Sequence, residues 1–187
     1  MKVLLIDFYD SFTFNIFHYL ESLGAAVTVV EDKSIILDEI EQYDFIILSP
    51  GPGIPKETKS LFAVLERYSK SKKILGVCLG MQGIAEFYGA QLYNQNLVKH
   101  GVSEKMNILQ PNRLFLNFEN EISVGLYHSW AANLKESGEL FPVAFSENNV
   151  LMAFEHHTLP VFGVQFHPES ILTENGKEVF KNFLFSC

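Results

Sequence analysis

The sequence is short of cysteine and has no long apolar run. Its 187 residues contain only Cys78 and Cys187, and two thiols so far apart are more often free than bridged. The longest apolar runs, such as residues 3–6 and 45–48, fall far below the roughly 18 residues that a membrane span needs. The apolar stretch after Lys2 is also shorter than the roughly 7–15 residues of a secretory signal. We therefore expect a cytoplasmic protein without a disulfide scaffold or a membrane span.

Positive charge is scarce as well. Lys and Arg total 14 against 22 Asp and Glu, so the formal net charge is −8 at pH 7. An acidic surface repels phosphate groups, which makes nucleic acid and anionic membranes poor partners.

Hydrophobic residues, in contrast, are plentiful. They make up 48% of the chain, with 17 Phe and 7 Tyr, and this is ample for a packed core. A chain of this length is expected to form one domain over residues 1–187.

The first half of the chain alternates strand and helix signals. Strands are predicted at residues 2–7, 25–31, 44–49 and 73–77, and helices at residues 11–23, 35–42, 57–71 and 80–88. The second half has short strand-like segments at residues 91–99, 106–109, 113–118, 122–126, 143–146, 150–155 and 161–166, and a final helix at residues 174–185. This order predicts a single three-layer α/β domain, with a mostly parallel sheet, helices on both faces and an added antiparallel ribbon.

Ligands of open α/β sheets bind beyond the carboxyl ends of the strands. The segments that follow the predicted buried strands are residues 7–13, 49–55, 77–82 and 166–170. Candidate functional residues are therefore expected in these four segments.

The first candidate is Cys78, within Gly76-Val77-Cys78-Leu79-Gly80. This is the pattern of a nucleophile elbow with cysteine in place of serine, in which a strained turn lifts the side chain above the sheet. The start of the following helix favours the thiolate, which is the nucleophilic form. A buried core cysteine is the alternative, because that is the usual role of a lone Cys.

A base for this thiol occurs in Phe166-His167-Pro168-Glu169. His167 can take the proton of Cys78, and Glu169 can hold the imidazole in the required tautomer. The alternative is a surface loop with a solvated glutamate. The surface loop is a reasonable interpretation of this segment alone. It becomes a poor interpretation once the segment is considered together with the elbow at Cys78.

The loop at residues 49–55 reads Ser-Pro-Gly-Pro-Gly-Ile-Pro. Gly51 and Gly53 have no Cβ, so their backbone N–H groups can approach a ligand closely. An oxyanion hole needs such a donor together with the N–H of the residue after the nucleophile, which is Leu79. A tight turn without a ligand is the alternative for this loop alone.

Together, GVCLGMQ, SPGPGIP and GVQFHPES resemble the motifs of class I glutamine amidotransferases, in the same order and at similar spacing. The opening Asp7-Phe-Tyr-Asp-Ser-Phe-Thr-Phe-Asn15 and the stretch Tyr127-His128-Ser129 resemble the glutamine-hydrolysing subunits of anthranilate synthase and aminodeoxychorismate (4-aminobenzoate) synthase. The resemblance covers essentially the whole chain.

The resemblance implies a role for each matching residue. Cys78 would be the nucleophile, His167 the base and Glu169 the residue that orients it. The oxyanion hole would come from Gly51 and Leu79. The α-amino and carboxylate groups of glutamine would be held by Gly53, Gln82 and the backbone at Ser129 and Trp130.

The resemblance also implies a partner, a chorismate-binding synthase subunit that uses the ammonia released from L-glutamine. Mg²⁺, where required, would then belong to that partner. No metal or organic cofactor is expected in this chain, since the pair His156-His157 is not accompanied by Cys or carboxylates at zinc-like spacing. Neither the pathway, which could be anthranilate, aminodeoxychorismate or both, nor the oligomeric state follows from the sequence.

Four positions depart from the subfamily pattern: Met81, Val102, Leu126 and Trp130. They bear on the partner contacts and the pathway, and they leave the proposed triad untouched.

Amidotransferases of histidine or GMP synthesis remain an alternative, as do a cysteine peptidase and a γ-glutamyl hydrolase of related fold. A non-catalytic module is the remaining class, although such a protein would usually have lost one of the three triad residues.

Overall fold

The strands and helices of the chain follow the predicted alternation in its first half. A computed structural model describes residues 1–186; Cys187, predicted to be a free thiol, and the side chains of Asn96 and Leu97 lie outside the described part. The strands are β1 (Lys2–Asp7), β2 (Ala26–Glu31), β3 (Phe45–Leu48), β4 (Lys73–Val77), β5 (Gln91–Ile108), β6 (Glu121–Asn133), β7 (Leu140–Ser146), β8 (Leu151–His156) and β9 (Val161–Val164). The α-helices are α1 (Thr13–Ser22), α2 (Leu61–Tyr68), α3 (Leu79–Phe87) and α4 (Gly176–Phe185).

All of these strands lie in one sheet, in the order β2-β1-β3-β4-β9-β8-β7-β5-β6. The pairs from β2 to β9 are parallel, and the pairs from β9 to β6 are antiparallel. The predicted α/β class is therefore confirmed. The antiparallel strands continue the edge of the parallel sheet, because β8 pairs directly with β9.

Helices cover both faces of the parallel half. Alternate residues of β1 face opposite sides, so Val3 and Leu5 pack with α1 and α4, whereas Leu4 and Ile6 pack with α2 and α3. Such continuous apolar strands are typical of parallel sheets that are buried on both faces. The result is the predicted three-layer arrangement. No helix within residues 1–186 is long and apolar enough to cross a membrane.

One predicted strand is wrong. Residues 113–118 form turns rather than a strand, because side chains satisfy the backbone donors there. The buried carboxylate of Glu155 accepts hydrogen bonds from the N–H groups of Arg113 and Leu114 at 2.7 and 3.0 Å, and Asn112 accepts one from the N–H of Phe115 at 2.7 Å. A side-chain acceptor replaces the neighbouring strand that the apolar pattern had suggested.

Other boundaries differ from the prediction: the helix expected at residues 57–71 is the shorter α2, and the strand expected at residues 122–126 is the longer β6. The strands expected at residues 91–99 and 106–109 are one long strand, β5, whose pairing with β6 contains bulges. The weak helix expected at residues 35–42 is a short 3₁₀ turn at Leu37–Gln42. The segments that matter for function are unaffected, since β1, β3, β4 and β9 are mutually parallel and end at the same edge of the sheet.

Candidate active site

Cys78 sits in a strained turn between β4 and α3. Its φ of 50° and ψ of −103° lie at positive φ, which few residues other than glycine adopt. The glycines of the motif make the turn possible: a Cβ on Gly76 would lie 2.4 Å from the carbonyl carbon of Gly80, and one on Gly80 would lie 2.3 Å from the carbonyl oxygen of Leu48. The predicted elbow is thus present, and the thiol stands at the N-terminus of α3.

His167 and Glu169 follow β9, the strand beside β4. Nδ1 of His167 lies 2.6 Å from Oε1 of Glu169, and both side chains are almost fully buried. Nε2 of His167 is buried and has no aligned hydrogen-bond partner. An imidazole with its Nδ1 on a carboxylate and its Nε2 free is arranged to exchange a proton with a neighbouring group.

That neighbouring group is the Cys78 thiol. Burial disfavours the charged imidazolium, but the interactions with Cys78 and then with Glu169 outweigh it and raise the pKa of His167 well above its ordinary value. A raised pKa means that the imidazolium persists at neutral pH, and a cation there stabilises a thiolate. The triad residues predicted from the sequence are therefore brought together in the structure.

Aromatic rings hold the imidazole in place. The ring centroids of Phe12 and Tyr127 lie 5.6 and 4.9 Å from that of His167, and the two rings also contact each other. Behind the triad, the hydroxyl of Thr173 donates a 2.6 Å hydrogen bond to the His167 carbonyl. These ring contacts and the hydrogen bond to its backbone leave His167 little freedom to turn.

A cavity of about 190 Å³ opens beside the thiol. It is lined by Gly51, Pro52, Gly53, Cys78, Gln82, Tyr127, His128, Ser129 and Trp130. Five of the predicted glutamine-binding residues are therefore in this lining. The cavity is smaller than the roughly 300–1,000 Å³ of pockets for drug-sized ligands, which suits a ligand of amino-acid size.

Leu79 is the predicted binding residue that does not line the cavity. Its side chain is buried and lies beneath the 49–55 loop, where a Cβ on Gly51 would come within 2.6 Å of its Cδ2. The first backbone hydrogen bond of α3 runs from the N–H of Gln82 to the carbonyl of Cys78, at 3.0 Å. The N–H of Leu79 lies in the turn before this bond. That N–H therefore has no partner within the helix and is available to a ligand.

A larger cavity of about 500 Å³ lies elsewhere, between Tyr93, Leu134 and Phe145. It contains none of the predicted site residues. The position of the elbow therefore identifies the candidate site better than the size of the cavity does.

Sequence reasoning missed Gln165. This side chain is fully buried, and its amide links two site residues: Nε2 lies 3.6 Å from the Cys78 sulfur, and Oε1 accepts a 3.1 Å hydrogen bond from Nε2 of Gln82. Gln82 also donates to the carbonyl of Trp130 at 3.0 Å. The only signal in the sequence was the position of Gln165 two residues before His167.

The four departures from the subfamily pattern lie in different environments. Met81 and Leu126 are fully buried in the core, and Val102 is exposed on β5. Trp130 lines the cavity beside Cys78 and also a second cavity that contains Lys56 and Glu86. Trp130 is thus the departure that contacts the candidate site.

Among residues 1–186 there is no group of three or more His, Cys, Asp or Glu side chains that could hold a metal ion. The chemistry that the described site can perform is nucleophilic attack by a thiolate, with an imidazolium to protonate the leaving group. A strained elbow thiol, an oriented imidazole and backbone donors together define a cysteine-dependent hydrolase.

Comparison with known proteins shows to which family of cysteine-dependent hydrolases the chain belongs. A family model of the class-I glutamine amidotransferases matches residues 4–187. The chain is 37% identical to the aminodeoxychorismate/anthranilate synthase component 2 of Bacillus subtilis, over 97% of this chain and 95% of that protein. It is 39% identical to the aminodeoxychorismate synthase component 2 of Klebsiella aerogenes, over 97% and 98%. The chain therefore belongs to the class-I glutamine amidotransferase family.

A solved structure supports the same fold. A Thermoplasma acidophilum protein, provisionally assigned to GMP synthase, superposes with a TM-score of 0.89 at 26% identity. The match covers 98% of this chain and 92% of that one. The arrangement of the sheet and its helices is thus shared with a protein that has been assigned to GMP synthesis.

We expect Gly51→Ala to lower kcat for glutamine hydrolysis by about 10²–10³-fold, the usual effect of losing one oxyanion donor. The new Cβ would meet the Phe8 carbonyl oxygen at 2.8 Å, as well as Leu79, and would displace the backbone N–H. Gly138→Ala is the matched control, because a Cβ there has no neighbour within 4 Å. Steady-state rates and Tm of both variants test this, and a fully active Gly51→Ala enzyme would contradict the predicted oxyanion hole.

Proposed function

We propose that this chain hydrolyses L-glutamine with Cys78, His167 and Glu169, and delivers the ammonia to a chorismate-binding synthase subunit. The observation that carries the proposal is the combination of an elbow thiol at φ 50° with an imidazole bound to a buried carboxylate at 2.6 Å. This combination meets the needs of amide hydrolysis, which requires a nucleophile, a proton donor for the amine and a fixed tautomer.

In the first half of the reaction, the Cys78 thiolate attacks the side-chain carboxamide carbon of glutamine. The carbonyl oxygen becomes an oxyanion, which the N–H groups of Gly51 and Leu79 stabilise. The C–N bond then breaks as the His167 imidazolium gives its proton to the departing nitrogen. Ammonia leaves, and a γ-glutamyl thioester remains on Cys78.

In the second half, neutral His167 takes a proton from water, and the hydroxide equivalent attacks the thioester carbon. Collapse of this intermediate breaks the C–S bond, releases glutamate and restores the thiolate–imidazolium pair. Glu169 keeps Nδ1 of His167 protonated throughout, so that Nε2 is the atom that exchanges the proton.

The proposed partner is supported by apolar side chains at the same edge of the sheet. Tyr9 and Phe14 follow β1 and are about half exposed, and Ile171, which follows the triad, is 96% exposed. Ile171 shares a cavity with Asn15 and Glu169. Large exposed apolar residues around a site are typical of a docking surface. The names of the relatives, component 2 of anthranilate or aminodeoxychorismate synthase, support another synthase subunit as the partner.

The pathway is proposed as anthranilate synthesis, aminodeoxychorismate synthesis or both, because the relatives at 37% and 39% identity carry those names. GMP synthesis is the second candidate, based on the match to the Thermoplasma structure. We place the activity in the cytoplasm, and we assign any required Mg²⁺ to the partner.

Product analysis tests this proposal. The chain is mixed with chorismate, Mg²⁺, glutamine and each candidate chorismate-binding subunit from the same source, and parallel reactions contain ammonia in place of glutamine. We expect glutamine-dependent anthranilate or aminodeoxychorismate with at least one subunit. If those subunits turn over with ammonia but never with glutamine plus this chain, the chorismate assignment is wrong, and the GMP candidate is assayed in the same way.

A further inference from the structure

His128 is a buried histidine in the wall of the glutamine cavity that the proposed mechanism does not use. It lies on β6 between Tyr127 and Ser129, it is only 4% exposed, and it lines the cavity with Cys78 and Gly51. Its Nε2 is buried without any hydrogen-bond partner. A buried polar atom without a partner costs free energy, so a partner supplied by a ligand is a natural explanation.

The tautomer of His128 follows from its other ring nitrogen. Nδ1 lies 2.9 Å from the carbonyl oxygen of Trp130, and a carbonyl oxygen only accepts, so Nδ1 carries the proton. The atom of Gln95 that lies 2.9 Å from Nδ1 is the amide nitrogen; with this amide flipped, its oxygen takes that position and accepts from the same N–H. In the neutral ring, Nε2 therefore carries no hydrogen and presents an unused lone pair.

The ring stays neutral under physiological conditions. Burial lowers the pKa of His128 to about 4, against the opposing effect of the Trp130 carbonyl, and nearby His167 and Lys99 lower it further. A neutral ring with a protonated Nδ1 offers Nε2 as an acceptor and cannot offer it as a donor.

Glutamine brings donors that need such an acceptor. Its α-ammonium group has three N–H bonds, and the backbone at Trp130 was expected to help hold the α-substituents. The Trp130 carbonyl, however, already accepts from Gln82 at 3.0 Å and lies within hydrogen-bond distance of His128 Nδ1. Both of its lone pairs are thus used, which leaves this carbonyl no capacity for the ammonium.

We propose that Nε2 of His128 accepts a hydrogen bond from the α-ammonium group of L-glutamine and so makes the site specific for an α-amino acid. The proposal rests on the proposed glutamine hydrolysis and adds a specificity residue to it. Nδ1 of His128 is bonded to the carbonyl of Trp130, one of the residues expected to hold the α-substituents, so we place the ring at that end of the substrate. It is therefore expected to govern binding more than the chemical step.

The test compares L-glutamine with glutaramate, the same molecule without the α-ammonium group. Dissociation constants are measured by NMR titration on Cys78→Ala protein, which cannot turn the ligands over. We expect His128→Asn, which keeps a donor toward Trp130 but lacks Nε2, to weaken glutamine binding by about 10- to 100-fold. The same variant should change glutaramate binding by less than about twofold, because glutaramate never makes the bond.

Two further variants sharpen the comparison. His128→Gln places an amide oxygen near the position of Nε2 and should recover most of the glutamine affinity. His157→Asn, the same substitution at an exposed histidine in the turn after β8, should change neither ligand.

An equal loss for glutamine and glutaramate would overturn the proposal, because it would show that His128 supports the cavity or the amide end only. An unchanged glutamine affinity in His128→Asn would overturn it as well. Failure of the parent Cys78→Ala protein to bind glutamine at all would instead reject the proposed glutamine site.

Discussion

Cys78→Ala is expected to reduce glutamine hydrolysis by at least about 10⁴-fold, because no other group can form the covalent intermediate once the thiol is gone. Alanine keeps the Cβ and adds no atom, so the packing of Gly76 and Gly80 at the elbow should be retained. The measurement is glutamate release by the chain in complex with its synthase subunit. Synthesis from added ammonia by the same complex should persist, since the substitution affects only the supply of nitrogen.

The second cysteine provides the control. Cys187→Ala removes the other thiol of the chain and should leave glutamine hydrolysis unchanged. Glutamate release by Cys78→Ala at a rate close to that of the unmodified chain would mean that another residue is the nucleophile, and the proposed mechanism would have to be abandoned.

The position of Cys78 was predictable because its signals are local in the chain. A run of apolar residues predicted β4, the two glycines predicted the tight turn, and a helix was predicted directly after it, so Cys78 could be placed at the carboxyl edge of a sheet. The same reasoning placed His167 and Glu169 after the last strand. Parallel strands end at one edge, and this topological rule brings residues 89 positions apart in the chain into one site.

The parts that escaped prediction depend on contacts between distant segments. The Arg113 turn has a strand-like composition, and only the buried carboxylate of Glu155, 42 residues further on, makes it a turn. The bonds of Gln82 to Trp130 and Gln165, 48 and 83 residues away, likewise leave no periodic trace in the sequence. Strand preference is set by such neighbours more than by the residues themselves, which also explains why β5 was predicted as two strands.

Glu169→Gln is expected to lower kcat for glutamine hydrolysis by about 10²–10⁴-fold, although the amide has nearly the same shape as the carboxylate. The 2.6 Å contact with His167 would join the ring to a neutral group, which can also stabilise the wrong tautomer. The carboxylate is one of the groups that raise the pKa of His167, so its loss should lower that pKa. The imidazolium of His167 would then lose its proton at a lower pH than in the unmodified enzyme. The proton donor for the leaving nitrogen would be lost with it.

The pH profile of kcat/KM separates this effect from a loss of folding. In the unmodified enzyme, activity should fall on the alkaline side as the pH rises through the raised pKa of His167, and in Glu169→Gln this alkaline limb should move to lower pH. Glu178→Gln, which alters an exposed carboxylate paired with Lys181 at 3.0 Å, should shift neither limb. An alkaline limb that stays in place in Glu169→Gln would show that Glu169 does not hold the charge of His167, because a carboxylate so close to the ring must favour its protonated form.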